Sequence, residues 1–260
     1  MALLDFLLFA VVGFVAQLVD GALGMAYGVI TATVLLGFGV APAQVSASVH
    51  AAELFTTAAS GSSHLYHRNI DWKLFFRLAP FGIAGGVLGA YVLTSIDGST
   101  IRPYITAYLA IVGVWLFIQS IRHIPAKPVN YNVVPPLGFV GGFLDSSGGG
   151  GWGPIVTTGL LGTGGTPRYV IGTVNSSEFL ITLSVSLTFL FAMITGHWED
   201  AGDWRTHAVS ISGLIVGGLL AAPFAGFIVK KIPEITLLRL VSILIITLAL
   251  YQTAQHIGWV

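Results

Sequence analysis

Asp145-Ser146-Ser147-Gly148-Gly149-Gly150-Gly151-Trp152-Gly153-Pro154 interrupts an otherwise apolar stretch over 133–164. Each glycine costs a helix interior about 1 kcal/mol, so four in a row end a helix. The first apolar stretch, 3–39, carries a matching interruption at Asp20-Gly21-Ala22-Leu23-Gly24-Met25-Ala26-Tyr27-Gly28. Each stretch reads as a re-entrant hairpin or as two short helices meeting at a non-helical turn. Such backbone survives at membrane depth only when buried in protein or facing a water-filled cavity.

The rest of the chain explains why membrane depth is the right frame. Of 260 residues, 55% are hydrophobic and 8% charged, with a mean hydropathy of +0.86 and zero net charge. A soluble domain carries about 25% charge. The composition excludes an ordinary cytosolic enzyme, a nucleic-acid binder and a disordered protein. It points to an all-α polytopic membrane protein with the lipid bilayer as its surroundings. There is no cysteine, which excludes disulfides, zinc–thiolate sites and thiol catalysis. Stretches at roughly 74–94, 103–121, 208–229 and 235–255 are long and apolar enough to span, and 168–195 spans with Asn175 and Glu178 near its start. A sixth, 42–63, is too polar to face lipid all round and is expected to lie among other helices. The N-terminal apolar run lacks a basic flank and recurs later, so it reads as part of the fold rather than as a signal peptide.

Shifting the chain by 125 superposes 13–53 on 138–178 without a gap. Gly13/Gly138, Phe14/Phe139, Asp20/Asp145, Gly24/Gly149, Gly28/Gly153, Thr33/Thr158, Pro42/Pro167 and Glu53/Glu178 coincide. After a slip of seven, Asp71-Trp72 matches Asp203-Trp204 and Gly85-Gly86 matches Gly217-Gly218. The chain therefore reads as two copies of one unit, 1–124 and 133–260, joined by the polar, proline-containing linker 125–132. One broken element plus three spans gives an odd number of crossings, so the copies are expected to be inverted. Loop charges agree. Arg68, Lys73, Arg77, Arg122, Lys127, Arg168, Lys230, Lys231 and Arg239 fall on one side, against Arg102 and Arg205 on the other. The positive-inside rule makes the first side cytoplasmic and puts both termini outside.

The two inverted halves, the glycine-rich breaks and the following prolines resemble the TauE/SafE family, also called TSUP. The residues that carry the likeness are Gly13-Phe14-Val15 through Gly24–Gly28, Pro42 and Ser46–Ser62. In the second half they are Gly138–Gly142, Gly148–Pro154, Pro167 and Thr173-Val174-Asn175, with the closing span from Leu238-Arg239 to Tyr251. The resemblance implies export of small sulfur-containing anions, such as sulfite or the sulfonate sulfoacetate, from the cytoplasm across the inner membrane. It implies a transporter, not an enzyme, with no cofactor, no metal and no nucleic acid.

In inverted-repeat transporters substrate lies near the midplane between discontinuous helices. Helix N-termini offer free N–H groups and partial positive charge to an anion. The candidate binding residues are therefore Gly24, Met25, Ala26, Tyr27, Gly149, Gly150, Gly151 and Trp152. Asn175, Ser176, Ser177, Ser146 and Ser147 add side-chain donors. Tyr27 and Trp152 occupy the same repeat position and suit either gating or packing. Asp20, Glu53, Asp145 and Glu178 form two symmetric pairs of intramembrane acids. Such acids serve proton or sodium coupling, or they cap broken backbone; repetition in both halves favours the structural role. His50, a further candidate binding residue able to donate to an anion or to move protons, shares a helix face with Ser46, Glu53 and Thr57, and its repeat counterpart is Asn175. Three functions compete: an alternating-access anion exporter, a passive channel, and a weaker reading as an intramembrane metalloenzyme using His50, Glu53, His64 and His67.

Overall fold

The computed structural model describes residues 2–23, 25–121, 129–163, 165–201, 204–231 and 233–259, and the described residues hold helices and no strand. The first half contains α1 (Ala2–Leu23), α2 (Tyr27–Gly37), α3 (Pro42–Tyr66), α4 (Trp72–Thr94) and α5 (Gly98–Gln119). The second contains α6 (Val134–Gly148), a π-helical turn (Trp152–Thr157) running into α7 (Thr158–Thr163), then α8 (Pro167–Ile194), α9 (Trp204–Lys231) and α10 (Glu234–His256). Five of these helices, α1, α4, α5, α8 and α10, are long and apolar enough to cross a membrane. Large exposed side chains such as Leu3, Phe76, Tyr104, Ile111, Phe191 and Leu250 are what lipid contact requires. The chain is an all-α polytopic membrane protein.

The helices start where local chemistry lets them. Pro42 and Pro167 sit in the first turns of α3 and α8, where a missing N–H costs nothing. The Asp71 carboxylate accepts from the Lys73 and Leu74 amides at 3.0 and 3.1 Å, which caps α4. Asp97 caps α5 by accepting from Ser99 and Thr100 at 2.9 and 3.1 Å. That cap starts α5 at Gly98, a turn and a half before the expected start at 103, and leaves Pro103 inside the helix.

Helix α1 lies along α9, and α6 lies along α4. The opening helix of each sequence half thus packs on the second long helix after the break in the other half. Backbones come close along both seams: a Cβ at Gly13 would stand 2.9 Å from Leu214 Cα, and one at Gly138 3.0 Å from the Leu78 carbonyl oxygen. Small residues at such seams let dispersion act over many atoms. Helices α3 and α8 pair at the centre, and α5 pairs with α10. The polar α3 is buried along Val45, Ser46, Ser48, Val49, His50, Ala52, Glu53, Thr56 and Thr57, as its composition requires.

The short return helices lead to opposite ends of α5. The α2 carbonyl of Leu36 accepts from Arg102 near the start of α5, and that of Thr33 from Gln252 of α10 at 2.9 Å. Thr158, at the start of α7, accepts from Trp115 Nε1 near the end of α5 at 3.1 Å. Helix α2 has 11 residues, about 16 Å at 1.5 Å per residue. A hydrocarbon core is about 30 Å thick, so a return of that length reaches halfway across it.

Candidate functional site

The first break is narrower than the sequence suggests. Helix α1 runs through Asp20-Gly21-Ala22-Leu23, and only the residues just before Tyr27 depart from it; Gly24 lies outside the described residues. Asp20 is the reason the chain closes again so soon: its Oδ1 accepts the Tyr27 amide at 3.2 Å, bridging α1 to α2. Ala26 takes a left-handed conformation, φ 106°, and its carbonyl receives the Ile30 amide at 3.0 Å. For a residue with a Cβ that conformation costs about 1–2 kcal/mol.

The second break repeats the device with one more bond. Asp145 Oδ1 accepts from the Gly151 amide at 2.7 Å and the Trp152 amide at 2.9 Å. Gly149 ends α6 in the left-handed region at φ 74°, where its missing side chain matters. The candidate amides at Tyr27, Gly151 and Trp152 are therefore not free: carboxylates of the chain itself hold them. The side chains of the two break aromatics are packed. Trp152 is fully buried, donates to the Val174 carbonyl at 3.3 Å and lies over Gly82. Tyr27 is buried and reaches the Leu214 carbonyl at 3.4 Å.

The breaks meet each other. A Cβ at Gly28 would stand 2.9 Å from both Gly150 Cα and Glu53 Oε1, and one at Gly153 would stand 2.7 Å from Met25 Cβ. Gly28 and Gly149–Gly153 are all buried, so the junction lies inside the protein. Tyr108 of α5, which the sequence does not single out, supports it by donating to the Gly150 carbonyl at 3.0 Å. One tyrosine in an apolar span carries no pattern that would reveal this.

His50 and Asn175 share a repeat position but not a surrounding. His50 is fully buried and its Nε2 lies 3.1 Å from Asp145 Oδ2. Asn175 is half-buried and its Nδ2 faces Ser60 Oγ at 3.3 Å and His64 Nε2 at 3.5 Å. Ser176 spends its hydroxyl on the Gly172 carbonyl. Between these positions the central helices meet at Thr57 and Thr182, hydroxyls 3.4 Å apart. Glu53 is buried with Oε2 lacking a hydrogen-bond partner, while Glu178 is half-buried. Glu53 and Glu178 lie within electrostatic range of each other and of both Asp20 and Asp145.

The two ends of the α3–α8 seam differ in character. Toward one end, Ser60, His64, Asn69, Asn175 and Arg168 form a polar, partly exposed chain, closed by the Arg168–Asn69 bond at 2.6 Å. Toward the other, the Phe189 ring packs 6.4 Å from His50 and 5.8 Å from Trp198. Trp198 then borders a cavity of about 420 Å³ lined also by Asp97, His197, Glu199 and Asp200.

The family model for the sulfite exporter TauE/SafE matches residues 9–252. A probable membrane transporter protein of Bacillus subtilis (strain 168), YtnM, is 42% identical over 232 residues, covering 86% of this chain and 75% of its own. No solved structure matches. An abutting pair of broken helices in an all-α membrane protein, together with a family match over nearly its whole length, makes this chain a member of the TauE/SafE sulfite exporter family.

Proposed function

We propose that the protein is a secondary transporter that exports small sulfur-containing anions, such as sulfite and sulfoacetate, across the cytoplasmic membrane by alternating access. The observation that carries the reading is the buried junction of the two breaks, Gly28 and Met25 against Gly150 and Gly153. Its position, near the far ends of two half-length return helices, is where inverted-repeat transporters bind substrate. The crossed pairing of α1 with α9 and α6 with α4, and the exit of α2 and α7 toward opposite ends of α5, support two inverted units at 1–124 and 133–260. The loop charges then put the His64–Arg168 end in the cytoplasm and the Asp97–Glu199 end outside.

Substrate binding takes a different form from a vacant anion hole. The helix N-termini at Tyr27 and Gly151–Trp152 already hold a carboxylate each. An oxyanion between the breaks competes with Asp20 and Asp145 for the same N–H donors, exchanging one negative charge for another at a positive helix end. The polar end at Ser60, His64 and Asn175 is its approach, and the tilted Phe189 and Trp198 rings close the exit.

Proteoliposome counterflow tests the reading. An exporter loaded with unlabelled sulfoacetate accelerates uptake of labelled sulfoacetate, whereas a channel gives no such trans-stimulation. Flux of both sulfite and sulfoacetate without trans-stimulation replaces the exporter with a channel. Flux of neither, with flux driven instead by a sodium gradient alone, makes the four acids ligands of a transported cation.

A further inference from the structure

Both ring nitrogens of His50 have partners, and together they fix where hydrogens lie. Nδ1 stands 2.8 Å from the Ser46 carbonyl oxygen, one turn back on α3. A carbonyl only accepts, so Nδ1 carries a hydrogen. The Ser46 hydroxyl, 3.3 Å from the same nitrogen, donates its hydrogen to the Ser146 carbonyl and offers Nδ1 none. Nε2 faces Asp145 Oδ2 at 3.1 Å. A bare imidazole nitrogen and an ionised carboxylate would present two lone pairs to each other there. One hydrogen therefore lies between them, on the ring or on the carboxyl group. The pair holds one proton more than a neutral histidine beside an ionised aspartate.

We propose that the His50–Asp145 pair is a proton-binding site, and that its occupancy is coupled to anion binding between the breaks. The coupling half rests on the transporter reading above; the proton site does not. Asp145 joins three parts: Oδ2 reaches α3 through His50, Oδ1 holds the Gly151 and Trp152 amides, and its backbone belongs to α6. When the proton leaves, facing lone pairs repel and the tie from His50 to Asp145 is lost, leaving the Ser46–Ser146 bond to hold α3 against the end of α6. The charges around the pair give the coupling its sign. Glu53 on α3 and Glu178 on α8 are carboxylates in electrostatic range of Asp145, and Asp20 on α1 is in range of those two. Tyr108 of α5 faces the junction as a hydroxyl, the Tyr27 hydroxyl turns away to the Leu214 carbonyl of α9, and Phe189 of α8 packs against the ring. An anion entering this acidic surrounding is repelled less with the proton present, and by linkage it tightens the proton in return.

Asp145→Asn separates geometry from titration. Its carbonyl still accepts from Gly151 and Trp152, and its amide donates to Nε2 at every pH. Melting temperatures of purified wild type and Asp145→Asn are compared without substrate from pH 6 to 9. Wild type loses its hydrogen as pH rises and the variant does not, so the gap in favour of Asn widens with pH by roughly 2–4 °C. His50→Gln also removes the titrating ring, and its gap from wild type changes with pH as well. Gaps that stay constant across the range in both variants overturn the proton site. Sulfoacetate is then added to each sample. Its stabilising shift shrinks with rising pH in wild type and is level in Asp145→Asn. A shift in wild type that is independent of pH overturns the coupling. No shift in any sample, beside a widening substrate-free gap, leaves the proton site standing and overturns the anion assignment.

Discussion

Gly150→Ala tests the meeting of the two breaks more directly than any change to a polar residue. The added methyl carbon would overlap the Val29 amide nitrogen and the Gly28 carbonyl carbon, and would stand 2.7 Å from Val29 Cα. Ordinary carbon contacts lie at about 3.5–4.0 Å, so the two segments have to part by about 1 Å. The obstacle is the backbone of α2, itself held by the Asp20–Tyr27 bond and by Gln252 on Thr33, and it cannot rotate aside as a side chain would. Overpacking against a rigid neighbour costs about 1–3 kcal/mol; the backbone obstacle puts Gly150→Ala at the upper end. In a chain of this size that lowers the melting temperature by about 6–12 °C, at about 2–4 °C per kcal/mol. Gly162→Ala is the control: nothing lies within 4 Å of its Cβ, and it sits in α7 with ordinary helical backbone. The measurements are melting in detergent and sulfoacetate counterflow. Gly150→Ala lowers both and Gly162→Ala neither. A Gly150→Ala protein that melts and transports like Gly162→Ala refutes the contact between breaks, and with it the location of the site.

Asp145→Ala leaves the buried Gly151 and Trp152 amides without an acceptor, at about 1–3 kcal/mol for each, whereas Asp20→Ala frees one amide at a longer bond; melting therefore drops further for Asp145→Ala, and equal drops contradict the caps. Phe189→Ala empties buried volume worth about 3–5 kcal/mol and opens the aromatic contact with Trp198. In this cysteine-free chain a Thr182→Cys probe then reacts with an impermeant maleimide from the Asp97 side only when Phe189→Ala is also present, and labelling without it means the aromatic pair is no gate. The Ser99 hydroxyl, followed by the Thr100 amide, holds the Asp97 carboxyl below its ordinary range. A lowered folded value means the charged cap stabilises α5 above about pH 4 and is lost as pH falls through that lowered value. The melting gap between wild type and Asp97→Asn closes in acid and is level at neutral pH.

How much of this was legible in the sequence depends on whether the cause was local. The glycine run at 148–151 contains its own explanation, since no helix continues through it, and α6 ends at Gly148. The composition of α3 announced a helix that avoids lipid, and its Ser46–His50–Glu53 face is buried. The first break was read four residues too early because Asp20 and Gly21 look like breakers. What decides the matter is a bond to Tyr27 seven residues on, which lets Asp20 remain in the last turn of α1 and still cap α2. Tyr108 and Phe189 were invisible for a related reason. Their roles depend on which helix lies opposite, and an aromatic residue in an apolar span looks the same whether it meets lipid or a glycine turn.

The repeat also shows where symmetry stops. Position 20/145 is aspartate in both halves and does the same work in both, accepting amides across a break. A role that repeats in both units belongs to the architecture they share. Position 50/175 is histidine in one half and asparagine in the other, and only the histidine reaches an acid of the opposite half. Asparagine donates and accepts without a change of charge, so Asn175 holds its partners Ser60 and His64 without itself taking up a proton. Histidine does both. The break at Tyr27 is closed by a cap from Asp20, and the break at Gly151–Trp152 by a cap from Asp145 that is also linked to His50. In a transporter such a difference between the halves lets the two access states differ in free energy and so sets which one the empty protein rests in, while the direction of net flux follows the solute gradients.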